Sequence, residues 1–363
     1  VLPLDAEGYL GEVANAFLEG FAQSAERYGD VFTLETYRTD GAPASAELAY
    51  RQAVADGARF VVGPLLRSSV ELVTALEEAE TVPTLLLQDT PRPTFAGQLG
   101  ALPLYTYPLG AEAEVEQFGA LAVAEHPRRD IYILAQPGGL GRRLVAMFSR
   151  RWTPQPAAYA LRVRTVTNAE AWIELHKELR DLLDDTKAAD DGGPREKIHP
   201  PAVFVAGDAE FASQARASVP TALPVYVLAS SAGGLDGSGR SLLGLSGVRY
   251  FEMPYVLELQ RGGQPQLAAD YARGIAAGLQ RYLAAGADAY SIVRRSPYWG
   301  GARSWSYAGL SGTIVLRDGR FIRSGVPLEI DEGLLTPLDS LAEQAGFIPA
   351  AEACGADVAD CEL

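Results

Sequence analysis

Residues Arg59 to Val73, RFVVGPLLRSSVELV, decide the fold. Phe60-Val61-Val62 is short, apolar and mostly β-branched, the composition of a strand buried on both faces. Gly63-Pro64 stops that strand, and Ser68 or Ser69 is placed to cap a helix running on from Val70. A buried parallel strand that turns into a helix N-terminus points backbone N–H groups into a crevice. Open α/β sheets bind small, usually anionic, ligands there. The same residues also make an ordinary strand-to-helix turn with a capping serine.

The flanking sequence repeats the pattern. Val1–Leu4 reads as the end of a first strand, and Val13, Ala16, Phe17, Gly20 and Phe21 are spaced to face a sheet from one helix. Phe32–Tyr37 alternates as a strand, and Ala46–Asp56 forms a helix ended by Gly57. Downstream, a helix runs to Glu80, and a strand over Thr84–Leu87 leads into Gln88-Asp89-Thr90-Pro91. Strand–helix alternation of this kind builds right-handed βαβ units and a parallel sheet. Leu104–Pro108 interrupts the rhythm, which then restarts with strands at Ile131–Ala135, Arg162–Val166, Val203–Ala206 and Val225–Ala229. Helices over Gly138–Arg150, Ala169–Asp184 and Asp208–Ser218 separate them, with a charged loop at Lys187–Pro201. Two tandem sets of βα units imply two similar lobes.

The third section differs. Leu245–Val256 reads as a connecting strand, Gln266–Ala284 and Asp288–Arg294 as two helical stretches, and Tyr298–Tyr307 as an aromatic loop. Asp318-Gly319 between two alternating apolar runs predicts a hairpin of Gly312–Leu316 with Phe321–Ile330. Residues 336–363 form a tail of weak periodicity holding both cysteines, Cys354 and Cys361, bridged in an oxidising compartment or free.

Bulk properties narrow the function. At 363 residues the chain exceeds what one core supports, so two domains are expected. A formal charge of −15 argues against nucleic acid or an anionic membrane surface as the main partner. No apolar run approaches the ~20 residues of a membrane span. No signal peptide is present, and the start at Val1-Leu2-Pro3-Leu4 reads as that of a mature or trimmed chain, which leaves the compartment open. The three histidines, His126, His176 and His199, sit near no nucleophile motif, and no Cys/His cluster has metal spacing. IYILAQPGGLGR (Ile131–Arg142) lacks the full G-x-G-x-x-G of a dinucleotide turn. Glu112, Glu114 and Glu116 fall in the first turns of a helix, where the macrodipole favours them. Neither catalysis nor a cofactor or metal is expected.

An ordered set of motifs carries a family resemblance: GPLL (Gly63–Leu66), YPLGAEAE (Tyr107–Glu114), LASS (Leu228–Ser231), LSGVRYFEMP (Leu245–Pro254), AAGADAYSI (Ala284–Ile292) and LSGTIVLRDGRFIRSGVPLEI (Leu310–Ile330). Over about residues 1–335 the chain resembles the C-terminal domain of the LpoA-type penicillin-binding protein activators, or LppC-like lipoproteins. The tail after Thr336 has no counterpart, nor does the chain show the helical N-terminal domain and lipidated cysteine of full-length activators. The resemblance implies the type I periplasmic binding protein fold, two Rossmann-like lobes with parallel sheets meeting across a gap and joined by three crossovers near 105–109, 249–254 and 309–313. Lobe one would hold 1–106 and 252–310, and lobe two 107–251 and 311–335. It further implies a periplasmic regulator of peptidoglycan synthesis, anchored to the outer membrane when complete, whose partner is a class A penicillin-binding protein. Tyr298, Trp299, Trp305 and Tyr307 would then face the partner, or else pack as a lid on lobe one.

The competing expectation is a receptor that delivers an amino acid or similar solute to an ABC permease. In that reading Ser68, Ser69 and Thr90, with Gln88 and Asp89 beside them, line the cleft from lobe one. Gln136, Asp208, Ser230 and Ser231 line it from lobe two, and Glu252 meets an ammonium. Leu65, Leu66 and Arg67 would instead fill such a cleft, as suits lobes that stay closed without cargo. Each serine is also a plausible helix cap.

Overall fold

The computed structural model describes residues 1–29, 33–89, 104–111, 114–115, 117–118, 130–151, 161–190, 201–229, 244–260, 275–299 and 305–338. The chain divides into two compact units: Val1–Gly110 with Met253–Ser324, and Ala111–Glu252 with a return from Gly325.

In the first unit, helices α1 (Tyr9–Tyr28) and α2 (Pro43–Ala55) precede strand β1 (Val61–Val62). Helix α3 (Arg67–Val73) and strands β2 (Thr84–Leu86) and β3 (Leu104–Thr106) follow. Late in the chain, helix α8 (Gln280–Arg294), the short α9 (Ser296–Trp299) and strands β9 (Trp305–Gly309), β10 (Gly312–Arg317) and β11 (Arg320–Ser324) complete the unit. Its six-stranded sheet runs β1-β2-β3-β11-β10-β9. The first four strands pair in parallel, and the hairpin adds antiparallel neighbours. Asp318 and Gly319 both take positive φ (48° and 76°), the turn an Asp-Gly hairpin requires.

Helix α8 is buried along nearly its whole length, including Ala284–Ile292, as expected of a helix sandwiched inside a unit. Its close neighbour is α1. A methyl at Gly286 would sit 1.9 Å from the Phe17 carbonyl oxygen, and one at Gly20 would sit 2.0 Å from that of Leu283. Glycine at both places lets the backbones touch, and Phe21 and Tyr290 close the contact edge-to-face at 5.4 Å. Leu85, Leu87, Ile314, Leu316 and Phe321 extend this core onto the sheet.

The second unit holds β4 (Ile131–Ala135), α4 (Gly139–Arg151), β5 (Leu161–Thr165), α5 (Ala169–Asp190), β6 (Ala202–Ala206), α6 (Ala209–Ser218), β7 (Val225–Tyr226) and β8 (Val248–Glu252). Helix α7 (Pro254–Gln260) then belongs to the first unit, and β12 (Val326–Asp331) and β13 (Leu334–Pro337) return to the second. The seven-stranded sheet runs β13-β12-β8-β7-β6-β4-β5, parallel from β8 to β5. Strands β4 and β6 are buried at every position, as their unbroken apolar runs require. Phe118, Phe148, Phe204 and Tyr226 cluster in the core, with Phe148 stacked on Phe204 and Phe118 edge-to-face with Tyr226. Strand β12 joins β8 antiparallel, and the directly opposed Arg249 and Glu329 form an ion pair of 2.7 Å.

Several elements depart from the sequence reading. Residues 33–37 form no strand; Leu2 and Arg38 make an isolated bridge instead. Asp288–Arg294 is part of α8 rather than a separate stretch. Trp305–Tyr307 lies in a strand, not a loop. The expected lobe-two segment 311–335 is split, because β10 and β11 pair within the first sheet and only β12 onward pairs in the second. The third connection therefore falls at Ser324–Gly325, not near 309–313. In the tail, Thr336 and Pro337 belong to edge strand β13, and both cysteines lie outside the described residues.

Candidate functional site

The strand tips of the first unit are closed by their own chain. Gly63 N–H donates to the Leu85 carbonyl (2.8 Å) and Leu87 N–H to that of Pro64 (3.1 Å), so pairing continues past the end of β1. Leu65 is buried in the unit's core. Helix α3 begins at Arg67 with Leu66 at its N-cap and no side-chain cap, so Ser68 and Ser69 are in its first turn rather than capping it. Ser69 is buried, while Arg67 and Ser68 are exposed. At the tip of β2, Gln88 is half-buried, and the Asp89 carboxylate accepts from Arg320 Nε at 2.8 Å and Nη2 at 3.2 Å. Arg320 stands opposite Thr106 in the β11–β3 pairing, so the hairpin itself supplies this cation. Thr90 lies outside the described residues.

The second unit brings Gln136 and Asp208 together. Gln136 Nε2 donates to Asp208 Oδ2 at 2.7 Å, and Asp208 N–H returns a bond to Gln136 Oε1 at 2.9 Å. Asp208 also caps α6, accepting from Phe211 N–H at 2.9 Å. That backbone bond, then the Gln136 amide, holds its carboxyl below the usual carboxylate range. The Ala229 N–H, three residues past β7, donates to Glu114 Oε2 at 2.8 Å, which gives this first-turn acid a specific partner. Glu252 is buried at the end of β8, opposite Val326. Ser230 and Ser231 lie outside the described residues. His176 is structural, its Nδ1 lying 2.8 Å from the Ser218 carbonyl on the neighbouring helix.

Of the aromatic set, Tyr298 and Trp299 fall in α9, whereas Trp305 and Tyr307 are half-buried on β9 against the first unit's core. Trp305 meets Phe321 edge-to-face, and Tyr307 Oη donates to Ser291 Oγ at 3.2 Å.

A buried polar knot in the first unit has no counterpart among the residues selected from sequence. Asp288, 1% exposed on α8, accepts from Leu310 N–H (2.8 Å) and Ser311 N–H (2.7 Å) and from Ser311 Oγ. Ser311 Oγ is also 2.9 Å from Tyr107 Oη, and the Arg323 guanidinium lies over the Tyr107 ring at 5.8 Å. Desolvation raises the Asp288 pKa to about 6, against the lowering effect of the Ser311 and Leu310 bonds and of Arg323. Burial likewise pushes the Tyr107 phenol up to about 12. The sequence signal is a lone acid among small apolar residues in AAGADAYSI, facing an LSG turn. Among the described residues no group of His, Cys, Asp and Glu could hold a metal ion.

Two units, each a helix-flanked and mostly parallel sheet, joined by three chain passages, define the type I periplasmic binding protein fold. The family model described as "LppC putative lipoprotein" matches residues 1–323, and the chain belongs to that family. The penicillin-binding protein activator LpoA of Haemophilus ducreyi is 22% identical over 322 residues, covering 86% of this chain and 49% of that protein. The chain therefore spans about half the length of the curated relatives it matches. Among solved structures, the C-domain of LpoA from Haemophilus influenzae, described as a regulator of PBP1A, is similar with a TM-score of 0.68. It is 18% identical, with 93% of this chain and 98% of that one covered. A leucine-binding protein from Thermotoga maritima shares the fold at a TM-score of 0.51 and 14% identity, covering 93% of this chain and 95% of its own.

Proposed function

We propose that this chain is a non-catalytic regulator that binds and stimulates a class A penicillin-binding protein, and so promotes peptidoglycan synthesis at the cell envelope. In this reading the complete protein is a periplasmic lipoprotein held at the outer membrane. Family membership over residues 1–323 carries the proposal. The self-satisfied strand tips support it. A solute receptor needs polar groups held ready for cargo, whereas Asp89 is engaged by Arg320, and Gln136 and Asp208 by each other. No described helix is long and apolar enough to cross a membrane, and attachment by lipid is consistent with that.

Immobilised chain should capture a purified class A synthase reversibly and in a salt-dependent way, while a panel of amino acids and small acids leaves its melting temperature unchanged. A melt raised by one amino acid, with no synthase captured, would transfer the protein to the receptor class.

A further inference from the structure

Among the described residues the two sheets have four edge strands, β1 and β9 in the first unit and β5 and β13 in the second. Three of the four are blunted against further pairing. Strand β1 is two residues long and runs into Gly63-Pro64. Strand β5 carries exposed Arg162 and Arg164, ion-paired to Asp130 at 3.2 Å and Glu178 at 2.9 Å. Strand β13 is four residues long and ends on Pro337. Short strands, charges and prolines are the usual guards of an open edge. Strand β9 has none of them: WSYAG is five residues without charge or proline, and among the described residues it pairs only with β10. Gly309 opposes Gly312 across the Leu310–Ser311 turn, and the closing pair of a two-residue turn exchanges its hydrogen bonds. Alternating from there, Ser306 and Ala308 turn their N–H and C=O groups away from β10.

The Trp305 end of this edge is cationic. Arg295, at the end of α8, lies over the Tyr307 ring at 4.3 Å, and Arg294 over that of Tyr28 at 4.5 Å. Arg27 is exposed in the last turn of α1, with Glu26 beside it. Arg295 has no carboxylate partner among the described residues, and its Nη1 is buried without a hydrogen bond. In a chain of formal charge −15 such a strand end is a local exception, which favours an acidic visitor and disfavours a second copy.

We infer that β9 is a docking edge, where a partner protein adds one extended, acidic segment to the first unit's sheet. The segment's backbone pairs with Ser306 and Ala308, and its carboxylates lie at the Arg295 end. The inference rests on the regulator reading and names the edge that holds the synthase.

Amide exchange on the unmodified chain, alone and with excess purified class A synthase, reads the edge directly. Ser306 and Ala308 should exchange fast in the chain alone and slow by about tenfold or more in the complex. Ala308→Pro removes an outward N–H, keeps the β10 pairing and should weaken synthase capture about tenfold. Arg295→Gln should weaken it about fivefold and reduce its salt dependence. Capture without slowed exchange at Ser306 and Ala308 overturns the docking edge and leaves the regulator reading standing. No capture at all removes the regulator reading, and the docking edge with it. Slow exchange in the chain alone also overturns the proposal, because the edge is then covered by the chain's own residues or by a second copy, which sedimentation tells apart. Should Ala308→Pro fail to fold, exchange on the unmodified chain and capture by Arg295→Gln still decide the matter.

Discussion

The two units handle polar side chains in opposite ways. In the first, a carboxylate is taken wholly out of water and bound to backbone N–H groups of one turn. In the second, the carboxylate of Asp208 stays at the surface, caps a helix and trades hydrogen bonds with Gln136. One arrangement fixes distant parts of the chain relative to each other; the other finishes a local helix. Similar folds built from similar βα units therefore need not carry similar sites, and the informative residue is the one that is expensive to bury.

The sharpest break of this contrast is Asp288→Ala. It strands the buried Ser311 N–H and the half-buried Leu310 N–H and should cost the first unit about 3 kcal/mol, read by denaturant unfolding with lobe-resolved hydrogen exchange. Comparable protection in both units after that change would show that the knot carries no special weight. Acidity offers a second contrast of similar size. Asp288 titrates near 6 when folded, against 3.8 unfolded, so its protonated form is favoured in the fold. The native state then binds more protons between those values. This group's contribution is present below 3.8 and lost as pH rises through 6, on the order of 3 kcal/mol. Asp208 has the reverse sign: its lowered pKa adds stability above 3.8 that is lost on further acidification. Acidifying from pH 7 to 5 should raise protection in the first unit, an effect absent in Asp288→Asn, and leave the second unit's protection in place.

Smaller effects refine the picture. Gly286→Val drives a side chain into the Phe17 carbonyl and should cost the first unit about 1–3 kcal/mol, measured as a lowered melting midpoint. Arg320→Met leaves Asp89 without its ion pair and should cost about 1 kcal/mol, since both side chains keep some solvent contact (17% and 15% exposed). Asp208→Ala removes the α6 cap for about 1 kcal/mol, confined to the second unit. If it disturbed the first unit equally, the local reading of Asp208 would fail.

Local signals in the sequence were strong where one segment suffices. IYILA and VFVA read as strands because each is a short, unbroken apolar run, and Asp318-Gly319 announces its turn through backbone geometry alone. Pairings made at long range left no such trace. The partner of β11 is β3, more than two hundred residues away, and no periodicity marks Arg320 as opposite Thr106. The sequence alone therefore assigns the hairpin to lobe two, whereas β10 and β11 belong to the first unit's sheet. Ala284-Ala285-Gly286 resembled a break because small residues weaken a helical pattern, although they are small for the sake of the α1 contact. Ser68 and Ser69 resembled caps because they precede an apolar run, while the helix starts one turn earlier in space than that pattern marks. Asp89, Gln136 and Asp208 were legible as strand-tip residues, but their mutual or Arg320 pairing was not. Asp288 was missed altogether, since burial is a property of the assembled unit.

The most direct test of the regulator reading is the rate at which a purified class A penicillin-binding protein polymerises and cross-links lipid-linked precursor, with and without this chain. Stimulation that saturates as the chain is added, while the chain alone makes no product, is the predicted result. An unchanged synthase rate at concentrations where the chain is folded and in excess would contradict it.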